Sequence, residues 1–134
     1  MKKEKTNFIY AVGRRKRSVC RVRLFKGKGQ SLADDLPLDQ RFKGFSADYY
    51  LKPFEITKNT GKMYVTARVL GGGKNGQVSA FIHALSRALV KENEKENRPI
   101  LKAAGFLTRD PREKERRKFG NAQKARARKQ SPKR

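Results

Sequence analysis

Tryptophan is absent from this chain, cysteine and histidine occur once each, and acidic residues are scarce. Each shortage excludes something. With Cys20 alone, no internal disulfide can form, and a reducing compartment fits. One cysteine and one histidine cannot close a zinc site. No stretch approaches the roughly 20 apolar residues of a membrane-spanning helix. The first residues hold Lys2, Lys3, Glu4 and Lys5, followed by an apolar run only from Phe8 to Val12. That run is too short for the core of a secretory leader. The expected location is the cytoplasm, or the interior of an organelle, with no membrane partner.

Positive charge is what the chain has in abundance. Its 134 residues allow one domain and one modest core, with 36% hydrophobic and 35% charged residues. Lys and Arg number 35 against 12 Asp and Glu, a net charge of +23. Solubility is served by a net charge of about 2 to 8. A globule carrying far more repels itself, and a dense polyanion relieves the repulsion. Nucleic acid is the usual one, and its counterion release would make binding fall steeply with salt.

The opening segment reads as a β-hairpin: a strand over Phe8 to Val12, a turn over Gly13 to Lys16, and a strand from Arg17 to Phe25. Alternation puts Cys20, Val22 and Leu24 on one face, and Arg17, Arg21 and Arg23 on the other with Val19 and Phe25. All eight charges from Gly13 to Lys28 are positive, whereas a solvated face mixes signs. A phosphate-binding face is the reading preferred over a solvated one. Gly27-Lys28-Gly29 reads as a turn, with a short strand after it at Gln30 to Ala33. Asp39 is a candidate cap for a short helix containing Phe42, and Asp48 for another ending before Pro53. Asn59-Thr60-Gly61 is a turn signal.

Met63 to Leu70 alternates as a strand. Gly71-Gly72-Gly73-Lys74-Asn75-Gly76 follows, then a helix to about Asn93 with Val78, Phe81, Ile82, Leu85, Ala88 and Leu89 at helical spacing. Glu92, Glu94 and Glu96 fall where that helix ends, the unfavourable end for its dipole. A short last helix is expected over Pro99 to Ala104, with Gly105 just past its end.

Two patterns imitate catalytic sites. Gly71, Gly73 and Gly76 fit G-x-G-x-x-G between a strand and a helix, and Glu96 lies twenty residues on. A dinucleotide site needs that acid at the end of a second parallel strand, and none is expected there. A phosphate-binding P-loop needs Lys and Ser/Thr where Gln77 and Val78 stand. What survives is a cluster of glycine amides at a helix start beside Lys74, which favours an anion. A flexible strand-to-helix connection competes with it. Cys20 and His83 could be imagined as nucleophile and base, but nothing in the sequence brings them together. No catalytic constellation, metal site or cofactor is expected.

Composition changes after Phe106. Between Arg109 and Arg134 stand twelve basic and three acidic residues, and Phe119 is the one large apolar side chain. Such a segment cannot offset the entropy of ordering and is expected to order only along a partner. Fully extended, residues 107–134 span up to roughly 90 Å. One or two helical turns are expected within Arg109 to Lys118, with Glu113 and Arg117 paired at i, i+4. In Lys124-Ala125-Arg126-Ala127-Arg128-Lys129, alanines let the backbone approach a groove while the arginines reach phosphates.

These residues together resemble a known family, the ninth small-subunit ribosomal protein in its bacterial form. The resemblance runs from Tyr10 to Arg134. It rests on Tyr10-x-x-Gly13-Arg14-Arg15-Lys16-x-Ser18-Val19-x-Arg21-Val22, on Gly71-Gly72-Gly73-x-x-Gly76-Gln77 and on Arg87-Ala88-Leu89. It continues with Leu101-x-x-Ala104-Gly105-Phe106-Leu107-Thr108-Arg109-Asp110, Glu115-Arg116, Gly120, Lys124-Ala125-Arg126 and Lys133-Arg134. The resemblance implies an α+β two-layer sandwich with a mostly antiparallel sheet, a left-handed βαβ crossover and helices on one face. Residues 1–106 would form the globular domain and 107–134 a long basic tail. The implied partners are the 3′ major domain of small-subunit ribosomal RNA, the peptidyl-site tRNA and neighbouring proteins of the subunit head.

Two features depart from the family. The usual ending Pro-Gln-Phe-Ser-Lys-Arg is here Lys129-Gln130-Ser131-Pro132-Lys133-Arg134, so an aromatic is lost and Pro132 fixes φ before the basic pair. Asp34-Asp35 also stands where an Asn-Gly turn is usual. The expected ribosomal RNA contacts are Arg14, Arg15, Lys16, Arg17, Arg21, Arg23, Gly72, Gly73 and Lys74 in the domain. In the tail they are Arg109, Arg112, Arg116, Arg117, Lys118, Lys124, Arg126 and Arg128. Lys133 and Arg134 are the pair expected nearest the tRNA. A rival reading, the protein subunit of a tRNA-processing ribonucleoprotein, calls for a dense Arg-Asn-Arg-type helix that the sequence lacks. A nonspecific nucleic-acid or anionic-membrane binder is the other rival.

Overall fold

The computed structural model describes residues 7–127. Period-two alternation builds the first two strands, β1 (Phe8–Arg15) and β2 (Ser18–Lys26), paired antiparallel with Phe8 opposite Phe25 and Arg15 opposite Ser18. Two short strands follow, β3 (Leu32–Ala33) and β4 (Leu36–Pro37), then three short helices, α1 (Leu38–Arg41), α2 (Ala47–Tyr50) and α3 (Lys52–Ile56). Strand β5 (Met63–Leu70) precedes the long helix α4 (Lys74–Glu92) and the shorter α5 (Glu94–Ala103).

The sheet order is β1-β2-β5-β3-β4. Its pairings are antiparallel except β3 with β5, which run parallel, so α1 to α3 lie on the crossover between those two strands. The fold is therefore α+β with a mixed five-stranded sheet. Cys20, Val22 and Leu24 of β2 and Val65, Ala67 and Val69 of β5 face inward, as the alternation predicts. Helix α4 lies over β1, β2 and β5 and carries the predicted stripe of Val78, Phe81, Ile82, Leu85, Ala88 and Leu89 into the core. Helices α2, α3 and α5 pack onto α4, and Phe42 joins the layers through ring contacts with Phe81 at 5.2 Å and Tyr50 at 5.5 Å.

Several expectations need correction. The hairpin turn is Lys16-Arg17, not Gly13 to Lys16; Lys16 holds the positive φ, at 53°. Gly13 lies within β1, where α4 crosses so closely that a Cβ would sit 2.2 Å from the Ala80 carbonyl oxygen. Close helix approach, not chain reversal, is what needs glycine there. Asp39 and Asp48 do not cap their helices: Pro37 and Ser46 hold the cap positions, and both acids lie in the first turn. Asp39 instead accepts the Tyr50 hydroxyl at 3.3 Å.

The last helix is longer than expected. Asn93 ends α4 and its side chain accepts the Glu96 N–H at 3.4 Å, which starts α5 at once. Glu94 and Glu96 thus lie in a first turn, where a helix dipole favours them. Pro99 is tolerated inside α5. Gly105 closes it as expected, at φ 80°, with Phe106 N–H donating to the Leu101 carbonyl and Gly105 N–H to that of Lys102. Asp34 and Asp35 keep the β3–β4 turn, both at positive φ (50° and 65°), a region that Asp tolerates.

Candidate nucleic-acid interface

Three segments distant in sequence meet at one end of the sheet. The Lys16-Arg17 turn, Gly72-Gly73 and residues Glu113 to Arg117 line a concavity of about 940 Å³. Local chemistry positions each. Gly71 and Gly72 adopt positive φ, 73° and 66°, to turn the chain from β5 into α4. A Cβ on Gly72 would lie 2.2 Å from the Ser18 hydroxyl, which itself donates to the Gly71 carbonyl at 2.9 Å. The loop is therefore packed onto the start of β2. It is not the flexible connection considered from sequence. A network backs it: Gln77 donates to the Gly71 carbonyl at 3.1 Å and accepts from Arg41 at 3.1 Å, while Arg41 pairs with Asp34 at 2.8 Å. Asp34 also accepts the Val69 N–H at 3.1 Å. Gly73 has open space around it and holds the cap position of α4 with no side-chain cap bond, followed by exposed Lys74 and Asn75.

Asp110 roots the tail against this end. Arg15 donates to the Arg112 carbonyl at 2.7 Å and pairs with Asp110 at 3.2 Å. Asp110 also accepts the Arg112 backbone N–H and guanidinium, and those bonds, with Arg15 nearby, hold its carboxyl well below the ordinary carboxylate range. Asp110 carried no role in the sequence reading; an acid inside a basic run was the signal available. The one or two helical turns expected within Arg109 to Lys118 are absent. A single i, i+4 pair supplies only about 0.3–0.5 kcal/mol, too little to nucleate a helix. Glu115 pairs with Arg126 instead, and that bond lowers its pKa. Lys118 N–H donates to the Lys124 carbonyl at 3.3 Å, so residues 115–126 close a loop.

The expected residues thus divide. Lys16, Arg17, Gly72, Gly73, Arg116 and Arg117 come together, with Lys74 adjacent in the chain. Arg15, Arg112 and Arg126 are engaged within the chain. Arg14 is exposed beside His83, its backbone N–H donating to Nδ1 at 3.4 Å, and Arg109 is exposed nearby. Lys118 and Lys124 stand in the tail loop. Arg21 and Arg23 lie apart, on the open face of the sheet, in a concavity of about 760 Å³ with Tyr10, Phe25 and Arg68. Arg21 stands directly opposite Arg68, a like-charge pairing that destabilises a sheet. Arg68 was missed because strand register is not written locally; Asp35, 3.1 Å away, partly balances it. Arg128, Lys133 and Arg134 lie outside the described residues.

The catalytic imitations fail on geometry. Cys20 points into the core, and burial first, then the Asp34 charge, push its thiol pKa up to about 12, so it stays protonated at neutral pH. Beyond β5 the chain forms α4 and then α5, and no strand follows among the described residues to bring an acid to a dinucleotide. No group of His, Cys, Asp or Glu among the described residues could hold a metal ion, and no described helix is long and apolar enough to cross a membrane.

An α+β domain with cations converging on one end, a basic tail rooted there and no reactive pair among the described residues defines a class, the cation-rich binding protein. The family model for ribosomal protein S9/S16 matches residues 13–134, and the chain belongs to that family. It is similar to the small ribosomal subunit protein uS9 of Solidesulfovibrio magneticus, 44% identical over 128 residues, covering 95% of this chain and 97% of the relative. It is also similar to the protein of the same name from Dehalococcoides mccartyi, 42% identical over 118 residues, covering 87% and 89%. The chain is thus a bacterial-type small-subunit ribosomal protein. Its role is structural and not enzymatic, and its place is the ribosome, in the cytoplasm.

Proposed function

We propose that the chain binds small-subunit ribosomal RNA in the 3′ major domain, within the subunit head, alongside neighbouring head proteins. The observation carrying this reading is the convergence of Lys16, Arg17, the Gly72-Gly73 amides, Arg116 and Arg117 on one concavity. Cations and bare helix-start amides in one hollow suit phosphates, which fix position but carry no sequence information. Recognition is then mainly of RNA shape. The open-face arginines, Arg21 and Arg23, add a second cationic surface. Residues 1–106 act as the positioning domain, with the family's left-handed hand for the crossover, and 107–134 as the penetrating tail. Arg109, Arg112, Lys118, Lys124, Arg126 and Arg128 follow RNA, and the tail ends with Lys133 and Arg134 beside the anticodon stem-loop of the peptidyl-site tRNA. There Arg134 contributes about 1 kcal/mol to tRNA seating through charged hydrogen bonds.

Sedimentation of a tagged chain from cell extract at high salt tests both parts. The full chain is expected to travel with the small subunit. A chain lacking Lys133 and Arg134 is expected to travel equally well but to yield subunits with weakened peptidyl-site tRNA binding. Spread over all RNA fractions would refute the ribosomal placement. Unchanged tRNA affinity would refute the tail role.

A further inference from the structure

Phe119 is the most exposed large apolar side chain among the described residues, with a relative exposure of 101%. It does not lie on a frayed segment. Arg126 clasps Glu115 with Nε 2.9 Å from Oε2, Lys124 N–H donates to the Asn121 carbonyl at 3.0 Å, and Lys118 Nζ donates to the Ala125 carbonyl at 2.9 Å. These bonds close residues 115–126 into a loop that carries Phe119 outward. Gly120, Ala122 and Gln123 all take positive φ, 80°, 51° and 62°, the last two in a region L side chains rarely adopt. An aromatic ring left wholly in water, on a loop that holds Ala122 and Gln123 at positive φ, calls for a partner outside the chain. The charges choose its chemistry. Arg116, Arg117 and Lys118 directly precede Phe119 in the chain and Lys124 lies in the same loop, whose one acid, Glu115, is taken up by Arg126. Beside so cationic a run, an apolar face among phosphates is a nucleobase, whereas an apolar protein pocket brings no such density of negative charge.

We infer that Phe119 is a stacking residue: its ring packs on an unpaired base of ribosomal RNA while Lys118 and Lys124 meet the flanking phosphates. This rests on the RNA-binding reading above and adds to it the ligand of one side chain. The chain has no tryptophan, so Phe119→Trp places a sole indole reporter at the site. Full-length chain is titrated with a small-subunit ribosomal RNA transcript. Phe119→Ala is expected to weaken binding by about 5- to 150-fold, the usual value of one stacked base. The salt slope should not change, because no phosphate contact is removed. Phe119→Trp is expected to bind like the parent, with its emission quenched by the base. Parental affinity for Phe119→Ala, or indole emission in the complex that stays unquenched, would overturn the inference while leaving RNA binding intact. Failure of the parent chain to bind the transcript would instead remove the RNA-binding reading and this inference with it.

Discussion

His83 shows how one side chain acquires a property that its sequence neighbours do not announce. It sits half-buried on α4 against Arg14 and the segment after α5. Burial lowers its pKa most, and the charge of Arg87 lowers it further; the Leu107 carbonyl opposes them, and Arg109 adds to the lowering. The folded protein therefore resists a proton that the unfolded chain accepts near pH 6.5. Stability is unaffected well above that pH and falls as pH drops through it, because the unfolded state binds more protons. His83→Gln is expected to remove that part of the acid sensitivity, read as urea midpoints at pH 7.5 and 5.5. An equal loss in parent and variant would contradict this. From sequence His83 read as structural or solvent-facing, and the fold makes it structural. What could not be read was its company, since Arg14 is 69 positions away and only pairing of β1 beneath α4 brings them together.

At the scale of elements, period and spacing carried most of the fold. The alternation in Met63–Leu70 and the helical stripe from Val78 to Leu89 appear with the expected faces buried. Local signals failed where a tertiary contact overrode them. Gly13 reads as a turn because glycine usually marks one, yet it serves the crossing of β1 and α4. Gly13→Ala is therefore expected to cost about 1–3 kcal/mol through overpacking, seen as a lower urea midpoint with an unchanged slope. A midpoint equal to that of the parent would show that α4 can move away. The same limit applies to the site. The cations of the hairpin were legible because all eight charges from Gly13 to Lys28 share one sign. Their meeting with Glu113 to Arg117 was not, because the Arg15–Asp110 contact that brings the tail there joins residues 95 positions apart.

For the whole molecule, charge is the organising quantity. A net +23 on 134 residues opposes compaction, and on the proposed reading RNA relieves it. The small core fixes where cations gather, and the Arg15–Asp110 contact roots the tail's cations beside them. The most direct test is the salt dependence of affinity for a small-subunit ribosomal RNA transcript, compared between the parent and a variant with Lys16, Arg17, Arg116 and Arg117 changed to Ala. Each lost phosphate contact lowers the slope of log affinity against log salt by about 1. The variant is expected to bind more weakly with a slope reduced by about 3–4, while Lys52→Ala, whose partner is Glu55, leaves the slope unchanged. A variant slope equal to the parent's would mean that RNA does not enter this concavity.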